Sequence, residues 1–73
     1  MFRLKYLPDC NEFEVHSNKQ GAYRGDLKSI IKKSIDIGID SDDLEIALIE
    51  MENNRHPIAE FGILGKFLYT RNK

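Results

Sequence analysis

The chain has 73 residues, with 11 basic and 12 acidic side chains, a formal net charge of −1 at pH 7 and 41% hydrophobic residues. This length excludes several domains, and the composition excludes a disordered chain, which has fewer large apolar residues and a larger net charge. No apolar run approaches the roughly 20 residues needed to span a bilayer. We therefore expect a single domain over residues 1–73, outside the membrane.

The chain contains one cysteine, Cys10, so an internal disulfide cannot form. Proteins without disulfides are typical of the reducing interior of the cell. The first eight residues are too few and too charged for a secretory signal. These features predict a cytoplasmic protein. Its small core is expected to be marginal, which makes self-association a reasonable source of extra stability.

Residues 2–7 and 12–17 alternate between apolar and polar side chains, a pattern typical of strands. The four residues between them read Pro-Asp-Cys-Asn, which favours a turn. A hairpin with this loop has one apolar face and one charge-complementary face. The predicted register pairs Tyr6 with Phe13, Leu4 with Val15 and Lys5 with Glu14, and places Arg3 near His16.

Two helices are predicted to follow a polar loop over residues 17–25. Asp26 suits the N-cap of the first helix, and Gly38 is its expected stop. Asp40 suits the N-cap of the second helix, which should run to residue 53 or 54. The apolar side of the first helix is predicted to carry Leu27, Ile30, Ile31 and Ile35, with Ser34 among them. Ile39 and Leu44 occupy the positions of a hydrophobic staple.

The C-terminal segment combines aromatic residues with two glycines. Its preferred interpretation is a strand near residues 59–63, a turn at Leu64 and Gly65, and a strand over residues 66–70. A short helix that begins at Pro57 is the alternative. The sequence therefore predicts a small α+β two-layer domain in which an antiparallel sheet packs on a helical hairpin. The element order is β-β-α-α-β, with a fourth C-terminal strand as an option.

Between Asp36 and Glu52 the chain carries seven carboxylates and no lysine or arginine. Phosphates would be repelled there, so DNA reading by the second helix is disfavoured, and no EF-hand spacing of Gly and Glu is present. Cys10, His16 and His56 lack the neighbours that nucleophilic catalysis or zinc binding requires. We therefore predict no enzyme and no catalytic, cofactor-binding or metal-binding residues, and no small-molecule substrate is evident.

The second helix has two apolar stripes instead of one. The first stripe contains Leu44, Ala47, Leu48 and Met51, and the second, on the opposite side, contains Ile46 and Ile49. One interpretation is that the helix is sandwiched and both stripes are buried, which is favoured because small domains use the apolar residues they have. The other is that the second stripe is exposed and forms a contact site with a polar rim.

The predicted function is a small intracellular protein-interaction module or regulator that acts through this acidic amphipathic helix. Its partner is either a basic protein or a second copy of the chain. The predicted partner-binding residues are Asp42, Asp43, Glu45, Ile46, Ile49, Glu50 and Glu52.

The alternative function is binding of single-stranded nucleic acid or RNA through the sheet face and the basic residues. Aromatic side chains would act as stacking groups, and the candidates are Tyr6, Tyr23, Phe67 and Tyr69. Nucleic-acid binding is disfavoured because a net charge of −1 lacks the basic excess of such domains.

Overall fold

A computed structural model describes all 73 residues, Met1–Lys73, as five strands and two helices. The strands form one antiparallel sheet in the order β3-β2-β1-β4-β5, and both helices cover the same face of it. The predicted α+β architecture is therefore confirmed. The elements are β1 (Phe2–Leu7), β2 (Glu12–Ser17), β3 (Gly21–Gly25), α1 (Leu27–Asp36), α2 (Ser41–Asn54), β4 (Ile58–Phe61) and β5 (Phe67–Arg71).

The β1–β2 hairpin has the predicted strands, loop and register. Tyr6 pairs with Phe13 and Leu4 with Val15 on the face covered by the helices. The rings of Tyr6 and Phe13 lie 5.0 Å apart, and Lys5 pairs with Glu14 on the other face. The prediction succeeds because a shift of one residue would turn every apolar side chain of the strand away from the core.

The predicted polar loop over residues 17–25 is partly wrong, because Gly21–Gly25 forms β3 and pairs with β2. In this register Tyr23 lies opposite Val15. The strand has glycine at both ends and one large apolar residue, so it shows too little alternation to be recognised. The strand is formed by its pairing with β2, and this information is not local to the segment.

Helix α1 begins and ends as predicted, but two of the residues predicted on its core side are exposed. Asp26 accepts a hydrogen bond of 2.8 Å from the backbone N–H of Ser29, and Gly38 follows the helix with a φ of 120°. Ile30 is buried as expected. Leu27 and Ile35, predicted on the core side, are 43% and 44% exposed. They lie at the margin of the apolar stripe, whose centre is the buried Ile30.

Helix α2 also has the predicted N-cap and end. The Asp40 carboxylate accepts a hydrogen bond of 3.1 Å from the N–H of Asp43, and the helix ends at Asn54. Ile39 and Leu44 are both buried in the core, as expected for a hydrophobic staple.

The C-terminal segment forms two strands, as preferred, and no helix begins at Pro57. The bounds differ from the predicted ones by one or two residues: β4 ends at Phe61 and β5 begins at Phe67. The pairing shifts register between Glu60 and Phe61, where a β-bulge interrupts the ladder. The turn carries Gly65 at a φ of 75°, a conformation that favours glycine.

The core lies between the sheet and the helix layer, which consists of α1 and α2. Helix α1 packs on β2 and β3, and α2 packs on β4 and β5. Each helix thus covers its own half of the sheet, with little contact between the two helices. Neither helix is long and apolar enough to cross a membrane. The buried core consists of Leu4, Val15, Ile30, Ile37, Ile39, Leu44, Ala47, Met51, Ala59 and Phe61.

Because of the two helix caps, we expect the free energy of unfolding to fall in acid. Hydrogen bonds from backbone N–H groups hold the pKa of Asp26 and Asp40 below the ordinary value of 3.8; the donors are Ser29 and Asp43. Each carboxylate binds its proton more weakly in the folded chain than in the unfolded chain. The stabilisation is therefore complete above the unfolded pKa and is lost as the pH falls through the lower folded pKa.

This dependence is measured as the urea midpoint of unfolding between about pH 6 and pH 2.5, the range in which carboxylates titrate. We expect the double variant Asp26→Asn and Asp40→Asn to lose less stability in acid than the wild type, because asparagine caps a helix without titrating there. Equal acid sensitivity in both proteins would show that the caps do not contribute to it.

Candidate protein-interaction surface

One face of α2 carries two isoleucines that the fold leaves uncovered. Ile46 is 49% exposed and Ile49 is 50% exposed, whereas Leu44 on the opposite side is 2% exposed. The face contains residues at helical spacing of four, three and four positions, which we name the α2 outer face: Asp42, Ile46, Ile49 and Asn53. Two neighbouring β-branched side chains in water form an apolar patch on an otherwise polar helix surface.

The preferred expectation that Ile46 and Ile49 are buried is therefore wrong. The helices lie on one face of the sheet, so α2 can bury only the stripe that faces β4 and β5. The C-terminal segment, which could have covered the helix from outside, joins the sheet instead. The alternative that these side chains are exposed is the one the fold adopts.

Most of the predicted carboxylates surround the α2 outer face without an intramolecular partner. Asp42, Glu45 and Glu52 are exposed and Glu50 is half-buried. No ion pair within 4.0 Å involves any of these four. Because they make no salt bridge within the fold, their charges remain available to a partner.

Asp43 has a different place from the other predicted site residues. Its carboxylate accepts a hydrogen bond of 2.6 Å from the backbone N–H of Phe67, the first residue of β5. It is half-buried at the contact between α2 and the sheet. Since one oxygen is already bonded within the fold, we assign Asp43 to the attachment of β5 and not to the rim of the α2 outer face.

The neighbouring helix α1 presents basic and apolar residues on its own outer side. Lys28, Lys32 and Ile35 are exposed and share one face by their spacing of three and four residues. Neither lysine makes an ion pair, whereas Lys33 lies over the ring of Tyr23, 3.9 Å from its centre. The only carboxylate of α1 is the exposed Asp36 at its end, so the helix layer has a net positive charge on α1 and a net negative charge on α2.

A groove of about 560 Å³ lies between the beginning of α1 and the end of α2. The aromatic pair of β1 and β2 lines it together with Leu27 from α1 and Leu48 and Met51 from α2. Its polar lining comes from Glu52, Arg55 and His56. Because Leu27 at the start of α1 and Met51 and Glu52 near the end of α2 line the same groove, these two helix ends lie side by side.

The open face of the sheet uses most of its charges internally. The Glu60 carboxylate is bonded by Arg3 at 3.0 Å and by Arg71 at 2.8 Å. Glu12 pairs with Arg24 at 2.9 Å. This face therefore offers a partner fewer unpaired charges than the helix layer does.

The stacking groups considered for nucleic acid are divided between the two faces of the sheet. Tyr6, Tyr23 and Phe67 pack against the core on the helix side. Tyr69, by its pairing with Glu60, lies on the open face and is half-exposed. A row of aromatic side chains on the open face, on which successive bases stack, is therefore not formed.

The cysteine and the histidines considered for chemistry make separate local contacts. The Cys10 thiol lies 2.8 Å from Arg24 Nη2, and His16 Nε2 lies 2.6 Å from Glu14 Oε1. His56 Nδ1 lies 2.9 Å from Thr70 Oγ1. No group of three or more His, Cys, Asp or Glu side chains is arranged to hold a metal ion.

The basic side of α1 and the groove are features that the sequence analysis did not assign to the site. The spacing of Leu27, Ile31 and Ile35 by four residues could have indicated a second apolar edge beside the core stripe. The groove had no local signal, because its lining comes from four separate segments of the chain. Comparison of the chain with protein-family models, curated proteins and solved structures gives no match.

Proposed function

We propose that the protein is a cytoplasmic protein-interaction module, whose contact surface is the α2 outer face together with Glu45, Glu50 and Glu52. The observation that carries the proposal is the half-exposure of Ile46 and Ile49 among carboxylates that have no partner in the fold. An apolar centre with a polar rim is the usual anatomy of a protein interface. The placement in the cytoplasm rests on the single cysteine.

The two parts of this surface have different roles in binding. Burial of Ile46 and Ile49 in a partner supplies affinity, since it removes apolar area from water. The carboxylates steer a basic surface toward the helix and mainly raise the association rate, an effect that salt screens. The proposal therefore calls for a partner with apolar side chains surrounded by lysine or arginine.

The test is the double variant Ile46→Asp and Ile49→Asp. Because both side chains are half-exposed, the variant should stay folded, as measured by circular dichroism and thermal unfolding. Binding to a purified partner, first found by capture and then reconstituted from two pure components, should weaken at least about tenfold.

The matched control is Ile63→Asp, an exposed isoleucine in the turn between β4 and β5. It introduces the same chemical change away from α2 and should leave binding unchanged. Unfolding of the double variant, or equal binding by the double variant and the wild type, would contradict the proposed contact surface.

A further inference from the structure

The chain itself carries a surface with the chemistry that the α2 outer face requires. The outer side of α1 has an apolar side chain, Ile35, next to the two unpaired cations Lys28 and Lys32. The α2 outer face has Ile46 and Ile49 next to unpaired carboxylates. Opposite charges thus lie on two helices of one layer and find no partner within the chain.

We propose that the partner of the α2 outer face is a second copy of this chain, bound as a two-fold symmetric dimer through the helix layers. In this dimer α1 of each copy packs on the α2 outer face of the other. The inference rests on the proposed function, because it names the partner of the same surface. Such an interface is isologous, so that each contact occurs twice.

Charge selects one of two orientations of the symmetry axis. The helices run in opposite directions, because a four-residue connection joins them and the start of α1 lies beside the end of α2 at the groove. An axis parallel to the helices and midway between them places α1 of one copy over α2 of the other. A perpendicular axis in the same plane places α2 over α2 and brings carboxylates against carboxylates, which is unfavourable.

The parallel axis also fixes which ends of the helices meet. It preserves position along the helix direction, so the start of α1 lies over the end of the partner copy's α2. By the rise of about 1.5 Å per residue, Lys28 then lies nearest Glu52, and Lys32 lies nearest Glu50. The apolar centre combines Ile35 of one copy with Ile46 and Ile49 of the other, and the charges surround it.

The size of the helix layer suits a small interface. Specific interfaces bury about 800 Å² on each partner. The chain has an accessible surface of 4860 Å², so the dimer needs roughly one sixth of it. Helices of 10 and 14 residues are about 15 and 21 Å long and about 10 Å wide, so that side by side they present roughly 360 Å² in projection, which corresponds to an interface at the small end of the range and a weak dimer. Dimer formation would also stabilise a small domain that has no disulfide, since association favours the folded state.

The first test is sedimentation equilibrium of the full chain from about 10 μM to 1 mM, the range of weak to moderate affinities. We expect a monomer–dimer equilibrium that shifts toward monomer at about 0.5 M salt, because the contacts between Lys and Glu are screened. A folded monomer at every concentration would overturn the inference.

The second test exchanges charge between the helices. One variant carries Lys28→Glu and Lys32→Glu, and the other carries Glu50→Lys and Glu52→Lys. In the dimer of either variant alone, like charges face each other at both symmetric contacts between α1 and α2. The dissociation constant of that dimer should therefore rise at least about tenfold. A 1:1 mixture restores both contacts, and a heterodimer should form with an affinity within about threefold of the wild type.

The control Lys19→Glu reverses a charge in the turn between β2 and β3 and should leave dimerisation unchanged. Failure of the mixture to associate would overturn the parallel axis and the pairing of α1 with α2. If the wild type is a folded monomer, only the proposal of a second copy as partner is contradicted. The proposed contact surface on α2 is still tested by the binding experiment with Ile46→Asp and Ile49→Asp. Unfolding of the double variant Ile46→Asp and Ile49→Asp would instead contradict both the proposed contact surface and the proposed dimer.

Discussion

Replacement of Gly65 by alanine is expected to destabilise the domain by at least about 3 kcal/mol, among the largest effects of a single substitution. The new Cβ would overlap with the carbonyl oxygen of Gly38 and lie 2.8 Å from Cα of Ile39. Both neighbours are backbone atoms, which cannot rotate away as a side chain can. The Gly65 carbonyl also accepts a hydrogen bond of 3.0 Å from the N–H of Asp40, so the turn has little freedom to retreat.

The control for this substitution is Gly21→Ala. Gly21 has a similar positive φ of 82°, but nothing lies within 4 Å of the position of its Cβ. Its cost should be limited to the backbone conformation, about 1–2 kcal/mol. Urea unfolding of both variants measures the difference. Equal losses would show that the contact between the β4–β5 turn and the α1–α2 connection does not constrain the fold.

The contact between Gly65 and the α1–α2 connection also affects the candidate site. A domain of 73 residues has a total stability on the order of 4–11 kcal/mol, so the loss at Gly65 removes a large part of it. The same turn contacts the residues that lead into α2, and it therefore helps to fix where α2 begins on the sheet. The position of Ile46 and Ile49 on the outer side of α2 depends on that attachment.

Replacement of Asp43 by alanine is expected to cost about 1.5–3 kcal/mol, the range for a hydrogen bond to a charged group. The variant loses the acceptor for the N–H of Phe67 and leaves that half-buried donor without its partner. The edge strand β5 should open more readily, which hydrogen exchange of its amides reports alongside the free energy of unfolding.

Asp42→Ala is the matched control, because Asp42 lies in the same first turn of α2 but is exposed and unpaired. Both acids interact with the helix dipole, which is worth about 0.3–1 kcal/mol on the surface. The cost at Asp42 should stay in that range. Comparable losses at the two positions would mean that the dipole, and not the bond to Phe67, accounts for the role of Asp43. In the dimer of the preceding proposal, only Asp42 belongs to the contact surface.

The amino-acid sequence by itself determined the elements whose causes are local. The β1–β2 register follows from the alternation of Leu4 and Tyr6 against Val15 and Phe13, and a one-residue error would reverse the faces. The ends of α2 follow from side chain to backbone bonding at Asp40 and from the residues after Asn54. Within the site, the sequence identified the two apolar stripes of α2 and the carboxylates between them.

Only the tertiary structure decided which of those stripes is covered. The same spacing of Ile46 and Ile49 is compatible with a helix between two layers and with a helix on the outside, and the choice depends on where the C-terminal strands pack. The different roles of Asp43 and Asp42 are visible only in the tertiary structure, in which β5 lies beside Asp43. Strand β3 likewise exists because β2 offers it a partner. Local chemistry thus fixed the turns and caps, whereas burial depends on contacts between segments distant in sequence.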